Sequence, residues 1–330
     1  MNWSGKKTVV TGSDGFIGSH LVERLVALGA HVRALVLYNS FSSRGWLDTI
    51  DRKKLEHVEV VPGDIRDLHR VREIIGDADM VFHLAALIAI PYSYHAPDSY
   101  LETNVRGTLN VLQAARKASV RHVIHTSTSE VYGTAQFVPI TEEHPLVGQS
   151  PYSASKIAAD QFAVSFQRSF DLPVTIVRPF NTYGPRQSAR AIIPAIISQA
   201  LAGEKRVRIG NTRPTRDFTY VTDTVEGFIK AAEHPASIGK ILNLGSNDEI
   251  SIGDLAVRIR GLMKDSFELA FDESRMRPEQ SEVERLWSDN SKAGKIIEWE
   301  PVVSLDNGLE LTIEWFRENR HLYKEHLYHM

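Results

Sequence analysis

Short apolar runs alternate with helix-like repeats along the first half of the chain. One repeat covers Ser19–Leu28, where Leu21, Leu25 and Leu28 fall on one stripe and Gly29 is placed to end the helix. This alternation is typical of a parallel, doubly wound sheet with helices on both faces. The runs predicted to form its buried strands are Thr8–Thr11, Val32–Leu37, Val58–Val61, Met80–Leu84, His122–Thr126 and Val174–Pro179.

The pattern changes after about Asn181. Short strands at Arg206–Ile209 and Ile241–Leu244 mix there with helices and long polar loops. We therefore expect an α/β protein with a Rossmann-type doubly wound parallel sheet in residues 1–180. Residues 181–330 are predicted to form mainly a smaller α/β substrate-binding lobe, with later segments returning to the first domain.

Composition and charge narrow the class of protein. Of 330 residues, 42% are apolar and 24% are charged, and the net charge of −3 gives no reason to expect nucleic acid or an acidic membrane as a partner. Cysteine is absent, which excludes disulfides and thiolate metal sites, and we expect a cytoplasmic protein. The chain shows no signal-peptide layout and no apolar run near the ~20 residues of a membrane span, so we expect no membrane partner. None of the 13 histidines has metal-ligand spacing, so we expect no metal.

A glycine-rich turn follows the first predicted strand and opens the first helix. Glycines at this position let the backbone approach a pyrophosphate, and the helix N-terminus offers free N–H groups and a partial positive charge. The spacing is Gly-x-x-Gly-x-x-Gly, and its context predicts a dinucleotide site. The residues of the turn predicted to bind the cofactor are Gly12, Asp14, Gly15, Phe16, Ile17 and Gly18.

The end of the second strand should select between NAD and NADP. An acidic residue there would bind the ribose 2′-hydroxyl, whereas polar or basic residues would accept a 2′-phosphate. Residues 36–44 contain no acid, and Asn39, Ser40 and Arg44 favour NADP. The same residues fit a solvated loop equally well, so NAD stays open. Asp64, after the third strand, is a candidate partner for the adenine amino group.

Tyr152 and Lys156 are predicted to lie on one face of a helix, because they are four residues apart. A free tyrosine titrates near ~10, too high for a base in neutral water. A neighbouring ammonium group and a positively charged nicotinamide would favour the phenolate and bring the tyrosine pKa toward working pH. Together with the glycine turn, the pair predicts hydride transfer at a carbinol.

With these motifs assembled, the chain resembles the extended short-chain dehydrogenase/reductase family, in its nucleotide-sugar-modifying branch. With Ile88–Tyr94 and Tyr183–Ala191, the chain as a whole looks most like the bacterial 4,6-dehydratases of legionaminic-acid biosynthesis, which are described as acting on GDP- or UDP-linked N-acetylglucosamine. The resemblance implies that Ile65, Leu84, Ala85, Ala86 and Asn104 also bind the cofactor. The matching segments are Thr11–Gly18, Gly63–Asp64, His83–Ala86, Asn104–Thr108, Thr126–Gly133, Tyr152–Lys156, Arg178–Arg186 and Arg216–Val221.

Thr128, Ser129 and Glu130 bear on which reaction the family resemblance implies. Family 4-epimerases usually lack a carboxylate at the Glu130 position, whereas 4,6-dehydratases carry Thr-Asp-Glu or Thr-Ser-Glu. UDP-glucuronate decarboxylases also carry Thr-Ser-Glu. We therefore expect a 4,6-dehydratase, with a decarboxylase or a 4-epimerase as the alternatives.

The resemblance also implies a role for each catalytic residue. Tyr152 takes the proton of the sugar C4 hydroxyl as hydride leaves C4, Lys156 lowers the tyrosine pKa and Thr128 positions the C4 oxygen. Glu130 removes the C5 proton before water is lost across C5 and C6. Ser129 stands where the Thr-Asp-Glu version has an acid, so a serine hydroxyl would relay a proton or orient a water there. The hydride returns to C6, which predicts a tightly bound dinucleotide regenerated in each cycle.

The substrate diphosphate needs local cations, and Arg216 and Arg277 are the first candidates. Arg190 and Arg186 are further candidates. Asn181 is predicted to contact a phosphate or a sugar hydroxyl. The resemblance suggests that Ser93 and Tyr94 face the sugar.

Two helical segments carry apolar residues on more than one face. They lie around Tyr152–Phe170 and Leu101–Lys117, and one face of each must meet the sheet. Pairing of the other faces across a two-fold axis would cover them. We therefore expect a homodimer.

Overall fold

The protein is described by a computed structural model that covers residues 2–276 and 278–323. Its centre is a parallel sheet of seven strands in the order β11-β6-β5-β4-β1-β2-β3, with three two-stranded ribbons beside it. The strands are β1 (Lys7–Thr11), β2 (His31–Leu37), β3 (Val58–Gly63), β4 (Met80–His83), β5 (His122–Thr126), β6 (Val174–Pro179), β7 (Asn181–Tyr183), β8 (Arg206–Ile209), β9 (Thr215–Arg216), β10 (Phe218–Tyr220), β11 (Ile241–Leu244), β12 (Ile250–Ser251) and β13 (Glu268–Phe271).

Helices cover the faces of the sheet and build most of the second half. They are α1 (Phe16–Ala27), α2 (Leu68–Ile75), α3 (Ile90–Ser93), α4 (Pro97–Tyr100), α5 (Gly107–Lys117), α6 (Pro151–Phe170), α7 (Ile192–Leu201), α8 (Val221–Glu233), α9 (Ile252–Met263), α10 (Ser291–Ile297) and α11 (Leu305–Glu318). A π-helical segment, Leu101–Arg106, leads into α5. Within the residues described, none of the helices combines the length and the apolar character needed to span a bilayer.

Alternate residues of the central strands pack into two separate cores. Val10 and Phe82 belong to a core on one face of the sheet. Val9, Val81 and Val123 belong to a core on the other face. Strands buried on both faces read as continuous apolar runs, and this is why the sequence pattern located them. The predicted α/β fold with a parallel, doubly wound sheet is confirmed.

The order of the strands places a crevice at one edge of the sheet. β1 pairs with β2 on one side and with β4 on the other, with Thr11 level with His83. The chain therefore reverses its direction of winding between β1 and β4, and ligands of open α/β sheets bind at such a switch point, beyond the carboxyl ends of the strands. The glycine turn after β1 and the segment after β4 meet there.

One strand from the second half of the chain, among the residues that the structure describes, joins the central sheet. Ile241–Leu244, as β11, pairs in parallel with Val174–Pro179, and Leu242 and Leu244 are fully buried. The sequence pattern groups this strand with the smaller lobe. Arg206–Ile209 instead pairs with Glu268–Phe271 in a separate ribbon. The division of the chain near residue 180 stays a prediction.

Candidate active site

A cavity of about 1230 Å³ opens at the carboxyl ends of the central strands. Residues from both halves of the chain form its walls. The predicted site residues that line it are Gly12, Asp14, Gly15, Phe16, Ile17, Gly18, Asp64, Ile65, Leu84, Ala85, Ala86, Thr128, Ser129, Glu130, Tyr152, Lys156, Asn181, Arg190 and Arg216. The folding of the chain thus brings most of the predicted residues into one space.

The glycine turn can exist only without side chains at two positions. Gly12 has a φ of +71°, and a Cβ there would lie 2.8 Å from the amide nitrogen of Ala85. A Cβ on Gly18 would lie 2.0 Å from the carbonyl oxygen of Gly12. The cap of α1, Gly15, makes no side-chain hydrogen bond, so the first N–H groups of this helix face the cavity without a capping side chain. The turn therefore fits a dinucleotide pyrophosphate.

Two predicted acids border this part of the cavity. The carboxylate of Asp14 accepts a hydrogen bond from the Leu37 amide at 3.2 Å, and burial raises the pKa of Asp14. Asp64 is held by the Arg66 guanidinium at 2.5 Å, and the hydrogen bonds from Arg66 lower the pKa of Asp64. Arg66 itself lines the cavity, which sequence reasoning missed.

Two of the residues that favoured NADP, Asn39 and Arg44, bond to neighbouring residues of their own segment. The side-chain oxygen of Asn39 accepts from the amides of Phe41 and Ser43, and Arg44 pairs with Asp48 at 2.8 Å. Asn39, Ser40 and Arg44 are absent from the described residues that line the cavity.

Trp46 lines the cavity next to the glycine turn, and sequence reasoning missed it as well. Its amide donates to the carbonyl oxygen of Asp14 at 3.0 Å. Gly45, just before it, has a φ of +59°, and a Cβ there would meet that same carbonyl oxygen. The signal was available as a Gly-Trp pair inside an otherwise polar loop.

Asn104 and Ser93 support the cavity from behind and are not among the described residues that line it. The amide group of Asn104 is buried and bonds both backbone groups of Leu87 and the hydroxyl of Ser155. The Ser93 hydroxyl donates to the carbonyl oxygen of Ile90 at 2.7 Å. Tyr94 does line the cavity.

The amino end of α6 presents Tyr152 and Lys156 to the cavity. Ser150 caps this helix in a capping box with Ser153, and Pro151 occupies the first turn, so the helix begins just before Tyr152. Both predicted catalytic side chains are buried, with 6% of Tyr152 and 4% of Lys156 exposed. The Lys156 ammonium donates to the carbonyl oxygen of Thr126 at 2.6 Å.

Burial has the largest effect on the pKa values of Tyr152 and Lys156. Burial raises the pKa of Tyr152, against a hydrogen bond with Thr128 that lowers it, and the charge of Glu130 raises it further. Burial lowers the pKa of Lys156 to about 8, against the charge of Asp160. We expected the ammonium group to bring the tyrosine pKa down. In the protein alone desolvation is the stronger effect, so the lowering influence has to include the positive nicotinamide.

Thr128, Ser129 and Glu130 follow the end of β5 directly. The chain turns there into a short 3₁₀ helix, and the Thr128 hydroxyl caps it by accepting from the Glu130 amide at 3.2 Å. This turn aims a hydroxyl and a carboxylate into the same cavity as Tyr152. The cavity can therefore supply a base for an alcohol and a second base for an acidic C–H bond.

Cationic groups lie on the side of the second half. Arg216 is 6% exposed and its guanidinium lies 3.3 Å from the Glu282 carboxylate, which also lines the cavity. Arg190 is exposed and bonds the Ser188 hydroxyl. Arg186 pairs with Glu23 at 2.7 Å. The predicted Arg277 lies outside the described residues.

His83 is packed behind the cavity between two hydroxyls. Its ring nitrogens lie 2.8 Å from the Thr11 hydroxyl and 3.0 Å from that of Thr108, and burial holds its pKa well below the usual value. Among the described residues, no group of three or more histidines and acids could hold a metal ion.

Comparison with known proteins places this cavity in a family context. The family described as GDP-mannose 4,6 dehydratase matches residues 9–312 of the chain. UDP-glucose 4-epimerase of Mycolicibacterium smegmatis is 35% identical over 317 residues, which cover 94% of this chain and 98% of that protein. UDP-N-acetyl-alpha-D-glucosaminuronate decarboxylase of Bacillus cytotoxicus is 34% identical over 323 residues, which cover 95% of this chain and 98% of that protein.

A solved structure agrees with these sequence matches. The dTDP-glucose 4,6-dehydratase DesIV from Streptomyces venezuelae, with NAD and TYD bound, is similar with a TM-score of 0.87 and 30% sequence identity. The similarity covers 96% of this chain and 99% of that chain. The chain therefore belongs to the extended short-chain dehydrogenase/reductase family of nucleotide-sugar dehydratases, epimerases and decarboxylases.

Proposed function

We propose that the protein is a nucleotide-sugar 4,6-dehydratase that acts on GDP- or UDP-linked N-acetylglucosamine. The observation that carries this proposal is the position of Glu130, which lines the same cavity as Tyr152 and Lys156. Inversion at C4 needs only that a hydride leave and return, whereas loss of water across C5 and C6 also needs a base for the C5 proton. Glu130 supplies that second base.

The first step is the oxidation of C4. Tyr152, as phenolate, takes the proton of the C4 hydroxyl while Thr128 holds the C4 oxygen in line. The Lys156 ammonium stabilises the phenolate. A bound dinucleotide would supply an acceptor for the C4 hydride and a source of hydride for C6.

The second step is the elimination. The C4 ketone makes the C5 proton acidic, because the carbanion formed at C5 is delocalised onto the C4 oxygen. Glu130 takes this proton and returns it to the leaving C6 hydroxyl, which departs as water, with Ser129 as relay or water-orienting group. C5 then takes back a proton, which balances the one that Tyr152 removed from the C4 hydroxyl.

The cofactor we propose is NAD or NADP, held tightly and regenerated in each cycle. Two observations support NAD: Asn39 and Arg44 are engaged within their own loop, and DesIV holds NAD. Denaturing the purified protein and measuring the mass of the released dinucleotide tests the choice.

The substrate diphosphate would lie against Arg216 and Arg190, with Asn181 near a sugar or phosphate oxygen. All three line the cavity. Guanidinium groups bind phosphate oxygens in a bidentate manner, so burial of Arg216 favours a fixed geometry over a loose one.

We also propose that the protein is a homodimer. Phe162 on α6 and Leu101 at the start of the π-helical segment remain 36% and 53% exposed, which leaves an apolar face that a second copy would cover. Sedimentation of the purified protein tests this.

Incubation of the purified protein with UDP-, GDP-, CDP- and dTDP-sugars, followed by mass spectrometry, tests the reaction. Loss of one water from one N-acetylglucosamine nucleotide is the expected result and identifies the nucleotide base. Loss of carbon dioxide from a uronate would replace the proposal with a decarboxylase. A new isomer of unchanged mass would replace it with an epimerase.

A further inference from the structure

Three successive turns of α6 hold the end of β5. Tyr152, Lys156 and Asp160 are spaced by four residues and so lie on one face of the helix. Tyr152 hydrogen-bonds Thr128, and Lys156 donates to the Thr126 carbonyl oxygen at 2.6 Å. The catalytic side chains are thus two members of a row of three, and the proposed function uses only those two.

Asp160, the third member, accepts hydrogen bonds from three directions. Its carboxylate accepts from the Ser127 hydroxyl at 2.8 Å and from the Arg178 guanidinium at 2.9 and 3.1 Å, and it lies 3.2 Å from the Nε2 atom of His125. No part of Asp160 is exposed. A buried carboxylate with this many partners has a fixed position.

Ser127 places the carboxylate close to the Lys156 ammonium. Lys156 bonds the backbone of Thr126, the last residue of β5, and Asp160 bonds the side chain of Ser127, the residue that follows β5. The ammonium and the carboxylate thus both lie at this end of β5 in a dry interior, where the charge of Asp160 acts on Lys156.

Arg178 ties this carboxylate to the rest of the sheet. Arg178 is 1% exposed, and its third guanidinium nitrogen, Nη1, donates to the Tyr132 hydroxyl at 2.9 Å. The Tyr132 hydroxyl in turn donates to the Asn243 side chain on β11 at 2.7 Å. The row on α6 is therefore anchored across β5, β6 and β11.

We propose that Asp160 is a positioning residue for the hydride-transfer pair: its carboxylate, held by Arg178, supplies the negative charge behind Lys156 and fixes the end of β5 through Ser127. A buried ion pair by itself adds little to stability compared with apolar packing of the same volume. A carboxylate at this position is therefore better explained by its effect on Lys156 than by a contribution to the stability of the protein.

The charged groups around Tyr152 and Lys156 determine in which direction loss of the Asp160 carboxylate would shift their pKa values. The groups facing the pair are Glu130 and Tyr100 around Tyr152, and His83 and His125 near Lys156. Burial lowers the pKa of both histidines, so they add no positive charge near neutral pH. The carboxylate of Asp160 raises the pKa of Lys156, against the effect of burial, and also raises the pKa of Tyr152.

Asp160→Asn tests the proposal through the pH dependence of C4 oxidation. Removing the charge lowers the pKa values of both Lys156 and Tyr152. The reaction needs a protonated lysine and a deprotonated tyrosine, so both limbs of the pH–rate profile should move to lower pH, by at least about half a unit. The readout is formation of reduced dinucleotide in a single turnover, with UDP-N-acetylglucosamine, GDP-N-acetylglucosamine or UDP-glucose as the probe.

Two further variants guard against a trivial result. Asp160→Asn combined with Arg178→Gln removes both buried charges, so that no uncompensated guanidinium is left to unfold the protein. A smaller acid shift of the same sign is expected, because the positive charge that is lost with Arg178 lies farther from Lys156 than the carboxylate charge that acts on it. Thr175→Val removes a buried hydroxyl that lies 2.8 Å from His122 on the same sheet. It should lower stability without moving either limb.

A uniform loss of rate with both limbs unmoved would overturn the role of Asp160 and leave a structural one. The inference rests on the hydride-transfer part of the proposed function and not on dehydration, because C4 oxidation begins all three candidate reactions. A protein that oxidises C4 without losing water would therefore refute the dehydratase proposal and still test Asp160.

Discussion

The pKa values of Tyr152 and Lys156 in this cavity are shifted mainly by burial. The Lys156 ammonium is 4% exposed and its pKa lies near 8, so part of its charge is lost just above neutral pH. The Tyr152 pKa is shifted the other way by the same desolvation. Activity should therefore depend on groups that oppose the effect of burial: the Thr128 hydroxyl and the positive nicotinamide for Tyr152, and the Asp160 carboxylate for Lys156.

Glu130→Gln should separate oxidation from elimination. The amide keeps the size of the side chain but cannot accept the C5 proton, so elimination should slow by at least about 100-fold. Reduction of the bound dinucleotide on addition of substrate should persist, as seen in the absorbance of the reduced nicotinamide. Glu143→Gln, at an exposed glutamate that does not line the cavity, is the control and should behave as wild type. Normal dehydration by Glu130→Gln would exclude the role assigned to this carboxylate.

Gly18→Ala should weaken dinucleotide binding. The new methyl group would lie 2.0 Å from the Gly12 carbonyl oxygen, so the glycine turn would have to open. Overpacking of this kind costs roughly 1–3 kcal/mol. Gly261→Ala, in α9, meets no atom within 4 Å and should be neutral or slightly stabilising. Calorimetric titration with NAD and thermal unfolding compare the two variants, and equal affinities would argue against the turn as the pyrophosphate site.

Among the secondary-structure elements, α6 and the end of β5 together position Tyr152 and Lys156. The helix begins at Pro151 because Ser150 and Ser153 satisfy each other's backbone groups, and this start places Tyr152 in the first turn. A slip of one residue would turn both Tyr152 and Lys156 by about 100° away from the cavity. The cap therefore helps to fix where Tyr152 and Lys156 lie in the cavity.

Ser150→Ala should lower stability by about 1 kcal/mol, because one helix amide loses its acceptor. It should also lower kcat, since fraying of the first turn moves Tyr152. Ser304→Ala removes the corresponding cap of α11, which accepts from the Asn307 amide away from the cavity. This control should lose similar stability without loss of kcat. The comparison needs thermal unfolding and steady-state kinetics, and equal losses of kcat would show that the cap has no special link to catalysis.

Helices and strands could be predicted from the sequence where a single hydrophobic periodicity runs through the segment. His122–Thr126 and Val174–Pro179 were located to the residue, and Gly29, with a φ of +88°, ends the first helix as expected. The first helix itself starts at Phe16, three residues before the predicted Ser19. Its first turn is built on glycine-turn residues that carry no helical apolar stripe, so hydrophobic periodicity could not detect it.

In the molecule as a whole, an aromatic cluster beside the glycine turn packs Trp46 against Trp315 and Tyr323, which are distant from it in the chain. The Trp46 ring lies 5.7 Å from that of Trp315 and 5.6 Å from that of Tyr323. The Tyr323 hydroxyl donates to the carbonyl oxygen of Gln187, whose side chain lines the cavity. The last described residues therefore help to close the dinucleotide side of the site.

Tyr323→Ala should speed release of the bound dinucleotide, by roughly 10-fold. The variant loses its ring contacts with Trp46 and Phe316, each worth about 0.5–1.5 kcal/mol, and its hydrogen bond to Gln187. Phe271→Ala is the control, because this ring is 68% exposed on β13. Dialysis of the loaded protein followed by measurement of the retained cofactor reports the effect. Unchanged retention would show that the cluster supports the fold alone.

The local features could be predicted from the amino-acid sequence: the glycine turn, the shared helix face of Tyr152 and Lys156, and the segment Thr128–Glu130 as part of the site. Each depends on residues close in the chain, whose spacing translates directly into geometry. Which distant groups meet depends on tertiary packing. The packing leaves Asn39 and Arg44 bonded within their own loop, brings Trp46 and Glu282 to the cavity wall, and buries Asp160 against Arg178. These contacts depend on how the strands and helices pack, which no local pattern encodes.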